Sequence, residues 1–144
     1  MTAAGRAPSV DIRVDPWPSE DALRDLIRAG WGAGGSSRTQ VLKRSLCHVC
    51  AFDGERLVGF VYLAWDGGIH AFVLDPTVHP DYRRQGIGTA LVRRSIEVAR
   101  QRGVTWFHVD FEPHLATFYA ACGFVPSAAG IMRLDQELAV SSSA

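Results

Sequence analysis

Val78-His79-Pro80-Asp81-Tyr82-Arg83-Arg84-Gln85-Gly86-Ile87-Gly88-Thr89-Ala90-Leu91 is the stretch on which the reading of this chain turns. It leads from an extended apolar segment, through two arginines and a Gly-x-Gly, into the clearest helical pattern of the sequence. That pattern covers residues 86–102. Leu91, Val92, Ile96 and Ala99 share one face, while Arg93, Arg94, Glu97 and Arg100 lie elsewhere around the cylinder. Gly103 ends it, as a glycine just past a helix does. The start of a helix carries unpaired N–H groups and a partial positive charge, which together attract phosphate. Gly86 and Gly88 clear side chains from the backbone there. Arg83 and Arg84 add charge, and Thr89 adds a hydroxyl.

Two common phosphate-binding patterns do not fit. There is no G-x4-G-K-[ST] run. A G-x-G-x-x-G/A fingerprint starting at Gly86 meets Leu91 at its last position, and it follows several strands instead of opening the fold. Working outward, residues 9–14 alternate apolar and polar and predict a first strand. Ser19 is placed to cap a helix carrying Leu23, Leu26 and Ile27 that fades by Gly30. A glycine-rich loop occupies residues 32–37, followed by a short helix over 40–46. Strands are predicted over 47–52, 57–64 and 69–74, with turns at Asp53-Gly54-Glu55 and Asp66-Gly67-Gly68. Pro76 and Pro80 predict that the third of these strands stops pairing or bulges. After the long helix come a strand over 104–110, a helix from Glu112 or Pro113 to Gly123, and a last strand over 131–134. The strands before Arg83 and after Gly103 flank one helix, so they should run parallel in an otherwise antiparallel sheet.

The bulk composition bounds the rest. With 144 residues, the chain has the length of one domain with a full core. Residues 1–8 and 140–144 are expected as disordered tails. A formal net charge of +0 argues against wrapping nucleic acid. No apolar run approaches the ~20 residues of a membrane helix, and residues 1–10 lack an export pattern. The three cysteines, Cys47, Cys50 and Cys122, therefore read as reduced thiols of a cytoplasmic protein. Cys47-His48-Val49-Cys50 has C-x-x-C spacing, but no second ligand pair accompanies it, so no metal is expected.

The opening stretch closely resembles the signature of the GNAT superfamily of N-acetyltransferases: a strand ending in V-x-P, then [QR]-x-x-G-x-[GA]. Phe118-Tyr119-Ala120-Ala121-Cys122-Gly123-Phe124 resembles a second family motif, F-Y-x-x-x-G-F, one strand further on. The resemblance implies an α/β fold with a mixed, mostly antiparallel sheet, one splayed parallel pair and flanking helices. It implies acetyl-CoA as co-substrate, its pyrophosphate held by the backbone of Arg84, Gln85, Gly86, Ile87, Gly88 and Thr89, with the charge of Arg83 beside it. The pantetheine arm would lie along Pro76, Thr77 and Val78; Pro76 has no N–H to give.

The implied reaction is attack of a primary amine, on a small molecule or a protein, upon the thioester. Tyr119 matches the tyrosine that protonates the leaving thiolate in many relatives. The residue that takes the amine proton is less defined. Many relatives use a glutamate on one of the splayed strands, and this chain has none there. His70 and His108 fall near those places, and Asp110 shares a face with His108. Glu112 and His114 follow. The family asparagine before F-Y is also missing, with His114 in position to replace its cofactor contact. Trp31, Trp65, Asp66 and Asp110 would suit a small cationic acceptor. The two departures leave a second reading open, a non-catalytic acyl-CoA sensor. Neither nucleic acid nor membrane is an expected partner; a two-fold homodimer is the commonest assembly for such a chain.

Overall fold

The computed structural model describes residues 9–33 and 36–136. The two expected tails, and Gly34-Gly35 of the glycine-rich loop, lie outside them. Five strands, β1 (Val10–Val14), β2 (Cys47–Asp53), β3 (Arg56–Trp65), β4 (His70–Val78) and β5 (Trp106–His108), form one sheet in chain order. All neighbours are antiparallel except β4 and β5, which are parallel. The mixed sheet with one parallel pair is the fold the two motifs imply. Four helices accompany it: α1 (Glu20–Trp31), α2 (Thr39–Arg44), α3 (Ile87–Gln101) and α4 (Ala116–Ala121).

The sheet is covered on both faces. On one face α3 lays Ile87, Leu91, Val98 and Ala99 against Val49, Ala51, Val61, Leu63, Ala71 and Val73. On the other, Leu23, Leu26 and Ile27 of α1 and Leu42 of α2 meet Cys50, Phe52 and Phe60. Double coverage is why β2 and β3 are nearly continuous apolar runs. It also separates the C-x-x-C pair. Cys47 packs in the first cluster and Cys50 in the second, on opposite faces of β2. Burial pushes both thiols up to about 12, so they neither chelate one metal nor react readily.

Local signals set the helix ends. The Ser19 hydroxyl accepts from the Ala22 N–H at 3.1 Å, and Gly32 closes α1 in left-handed backbone with φ 75°. In α3 the sheet-facing line differs from the periodicity reading. Ser95 is fully buried, and Ile96 is only half-buried. Ser95 tolerates this because its hydroxyl donates to the Leu91 carbonyl at 2.8 Å.

Two expected strands differ. β5 pairs only over Trp106–His108, because β4 turns away beyond that point. Residues 131–134 form no strand: Ile131 is 85% and Leu134 83% exposed. A strand exists by pairing, and the edge strand β5 is only three residues long.

Candidate functional site

The chain leaves β4 at Val78 and makes a 3-10 turn over Pro80–Tyr82 before α3. Three contacts hold this turn. The Asp81 N–H donates to His79 Nδ1 at 3.1 Å, and Tyr82 OH donates to Asp53 Oδ2 at 2.5 Å. Arg83 Nη2 reaches the Gly30 carbonyl at 3.4 Å. Arg84 and Gly86 then take left-handed backbone, with φ 63° and 77°. A non-glycine residue there is strained by roughly 1–2 kcal/mol, and such strain gathers at functional turns. No side chain caps α3, so the N–H groups of its first turn have no intrahelical or capping partner. The sequence-predicted residues Arg83, Arg84, Gln85, Gly86, Ile87, Gly88 and Thr89 thus form one continuous turn, with the unpartnered N–H groups lying in the first turn of α3. Ile87 contributes backbone alone, since its side chain is buried in the core.

β4 and β5 pair over three rungs, His70↔Trp106, Ala71↔Phe107 and Phe72↔His108. Beyond Phe72 no rung joins them, and β4 runs on toward the start of α3 past an unpaired wedge. On its other side β4 bulges. The register moves from Tyr62↔Leu74 to Phe60↔Thr77, so β4 spends one residue more than β3. Asp75 in the bulge has φ 51°, and Pro76 follows it. The His79 N–H donates to the Val58 carbonyl at 2.8 Å. Alternation along the ladder then turns the Thr77 amide and carbonyl toward β3 and those of Val78 toward the wedge. Thr77 is committed through its side chain as well. Its hydroxyl donates to the Asp75 carbonyl at 2.9 Å and accepts from Trp31 Nε1 at 2.8 Å. Of Pro76, Thr77 and Val78, only Val78 offers both backbone groups to an added chain.

The remaining candidates divide between the two sides of the wedge. Ala71, Val73 and Phe107 face α3, so His70, Phe72, Trp106 and His108 face the α1 side. His70 Nδ1 and His108 Nε2 are 2.9 Å apart, and the Phe72 ring lies nearly parallel to His108 with centroids at 4.6 Å. Tyr119 approaches from α4. Its ring is 2% exposed and packs on Phe111, Phe118 and Phe124 with centroids at 4.8, 4.9 and 5.8 Å. Its hydroxyl has no hydrogen-bond partner among the described residues, and no sealed, unpartnered polar side-chain atom exists among them. The hydroxyl tip therefore opens onto accessible space. Burial, then Cys122 and Asp110, raise its pKa above the ordinary tyrosine range. Glu112 and His114 pair with each other at 3.4 Å, largely exposed, and Asp110 is exposed.

Sequence patterns did not single out Arg38 and Asp75. Arg38 donates to Asp75 Oδ2 at 3.0 and 3.2 Å. With the Trp31–Thr77 bond, this fastens both ends of the α1–α2 connection to the β4 bulge. No spacing rule links residues so far apart; only the unusual backbone demanded by Asp75-Pro76 hinted at the place. Gly30 completes the joint. A Cβ there would lie 2.6 Å from Thr77 Cγ2, and Thr77 is held by two hydrogen bonds. Gly30→Ala is therefore expected to destabilise the fold by about 1–3 kcal/mol, measured by denaturant unfolding, and to free the Trp31 indole, seen as a shifted emission spectrum.

The described family "Acetyltransferase (GNAT) family" matches residues 10–124. The chain belongs to the GNAT family. Among curated relatives, the mycothiol acetyltransferase of Mycolicibacterium vanbaalenii is 34% identical over 116 residues, 76% of this chain and 38% of that protein. An uncharacterized N-acetyltransferase, ycf52, of Pyropia yezoensis is 30% identical over 54% of this chain and 44% of its own length. The chain thus spans less than half the length of these GNAT relatives. A GNAT acetyltransferase from Streptococcus pneumoniae has a TM-score of 0.76 at 26% identity, covering 89% of this chain and 99% of that one. A Bacillus subtilis acetyltransferase solved with CoA shares the fold at a TM-score of 0.68 and 20% identity, over 83% and 79% of the two chains.

Proposed function

We propose that this GNAT chain is an N-acetyltransferase that moves an acetyl group from acetyl-CoA to a primary amine of a small molecule or a protein. The uncapped, left-handed turn at the start of α3, opening directly onto the wedge between β4 and β5, carries the reading. The residues present fit the co-substrate. The N–H groups of residues 85–89 and the Arg84 charge suit a pyrophosphate, and the outward edge of Val78 suits an amide-bearing arm. Acetyl-CoA supplies an activated thioester.

The chain's own groups then divide the proton work across the sheet. Tyr119, on the α3 side, is kept protonated by burial and has a free hydroxyl, the state a general acid toward a leaving thiolate requires. On the opposite side, the His70–His108 pair stands at the root of the wedge, where an amine held by the α1 side would give up its proton. Trp31 and the Arg38–Asp75 pair border that side, in keeping with a cationic acceptor. The free cysteines fit a reducing compartment, and no helix among the described residues is long and apolar enough to cross a membrane.

The test is a panel of primary amines with acetyl-CoA, followed by release of free thiol. Amine-dependent release is expected. Tight CoA binding with no release for any amine would favour the sensor reading, to which the missing strand glutamate and asparagine point.

A further inference from the structure

The two histidines at the root of the wedge are joined in one line. Their ring centroids are 5.2 Å apart while the facing nitrogens are 2.9 Å apart. The difference is one ring radius at each end, so the rings meet edge to edge, nitrogen to nitrogen. Such a contact needs one N–H and one lone pair. It therefore holds a single proton and fixes the tautomer of both rings.

The positions of the two rings break the symmetry. His108 is on the last paired rung, opposite Phe72, with the wedge beyond it; His70 is two rungs back, toward the closed end. At that end stands Asp66, whose Oδ1 accepts from the Gly68 N–H at 2.7 Å and the His70 N–H at 3.2 Å. These backbone donors, with Gly68 the larger contributor, hold the Asp66 carboxyl below its ordinary range, and the charge of His70 acts in the same sense. The other charged groups on this side are Asp110, Glu112 and His114, which follow β5, and the Arg38–Asp75 pair, whose charges are already matched.

The geometry points to a two-histidine proton relay, His108 to His70, in which His108 is the base of the transfer and His70 is its positioning residue. This rests on the acetyl-transfer reading above. In the resting pair, His108 Nε2–H donates to His70 Nδ1, leaving the lone pair of His108 Nδ1 free toward the wedge. The amine lone pair forms the bond to the acyl carbon, and its proton passes to His108 Nδ1. The Nε2 proton of His108 moves to His70 Nδ1, so the positive charge ends on His70, one ring further from the wedge. The carbon–sulfur bond breaks with its electron pair on sulfur, which takes the proton of Tyr119. Phe72, parallel to the His108 ring, limits its rotation.

Two measurements test the relay. In the CoA-bound protein, long-range nitrogen–proton NMR of the histidine rings should show His108 protonated at Nε2 and His70 unprotonated at Nδ1; the reverse assignment overturns it. The second compares two nucleophiles: the primary amine turned over fastest in the panel, and hydroxylamine, which is uncharged at neutral pH and needs no base. His108→Gln and His70→Phe should each lower kcat with the amine by about 10²-fold but with hydroxylamine by less than about threefold. His70→Asn, whose carbonyl still accepts from His108, should recover part of the loss. Equal losses with both nucleophiles, in variants whose melting is unchanged, would mean the pair is only packing. A wild type that binds CoA but acetylates neither nucleophile sinks the acetyl-transfer reading, and the relay with it.

Discussion

Tyr119→Phe is expected to lower kcat for acetyl transfer by about 10²-fold while leaving the KM for acetyl-CoA near its wild-type value. The separation follows from what the hydroxyl does and does not touch. The ring is packed on three aromatic neighbours, all of which phenylalanine keeps. The hydroxyl has no partner among the described residues, so its removal leaves no orphaned donor or acceptor there, and thermal unfolding should shift by no more than ~2 °C. Because burial raises the Tyr119 pKa, the wild-type rate should fall on the alkaline side only above the ordinary tyrosine range, and the variant should lack that limb. An unchanged kcat with a working amine would remove Tyr119 from the chemistry.

Gly59→Val should be the most damaging change to the fold that reaches the same site. Gly59 lies in β3 directly beneath the first turns of α3. A Cβ there would stand 3.0 Å from Ala51 Cβ and Leu91 Cδ1, and 3.2 Å from Ile87 Cγ2. Ala51 belongs to the neighbouring strand and has no flexible end to move aside. The added valine branches therefore lift α3 at Ile87 and Leu91, the turn we propose holds the pyrophosphate. A loss of about 3 kcal/mol is expected, or about 10 °C in Tm, with weaker acetyl-CoA binding by calorimetry. A Tm within ~2 °C of wild type would show that the helix does not need this contact.

How much of this was legible before the structure depended on how local the signal was. The Arg83–Gly88 turn and the Phe118–Gly123 segment could be read because glycine spacing and helix periodicity act over a few residues. The proline at 76 announced the bulge for the same reason. Hydropathy places Ile96 on the apolar face and passes over Ser95, since it does not register that a buried serine can satisfy itself on the carbonyl one turn back. Residues 131–134 look like a strand by composition, yet strand formation depends on an available edge, which no window of sequence reports. His70 and His108 were each visible, but their contact is made by the β4–β5 register, and the Arg38–Asp75 pair by the way α1 and α2 fold over the bulge. The cofactor half of the site is written in neighbouring residues; the acceptor half is assembled from distant ones.

The two fastenings of the α1–α2 connection have an evolutionary consequence. Trp31 and Arg38 are pinned to Thr77 and Asp75, while none of the described residues between them joins the sheet or hydrogen-bonds to the turn at α3. Its length and composition can be exchanged while the pins stay. Grafting residues 32–37 from a relative with a different acceptor should then transfer acceptor preference as a cassette, leaving the coenzyme affinity of the host intact.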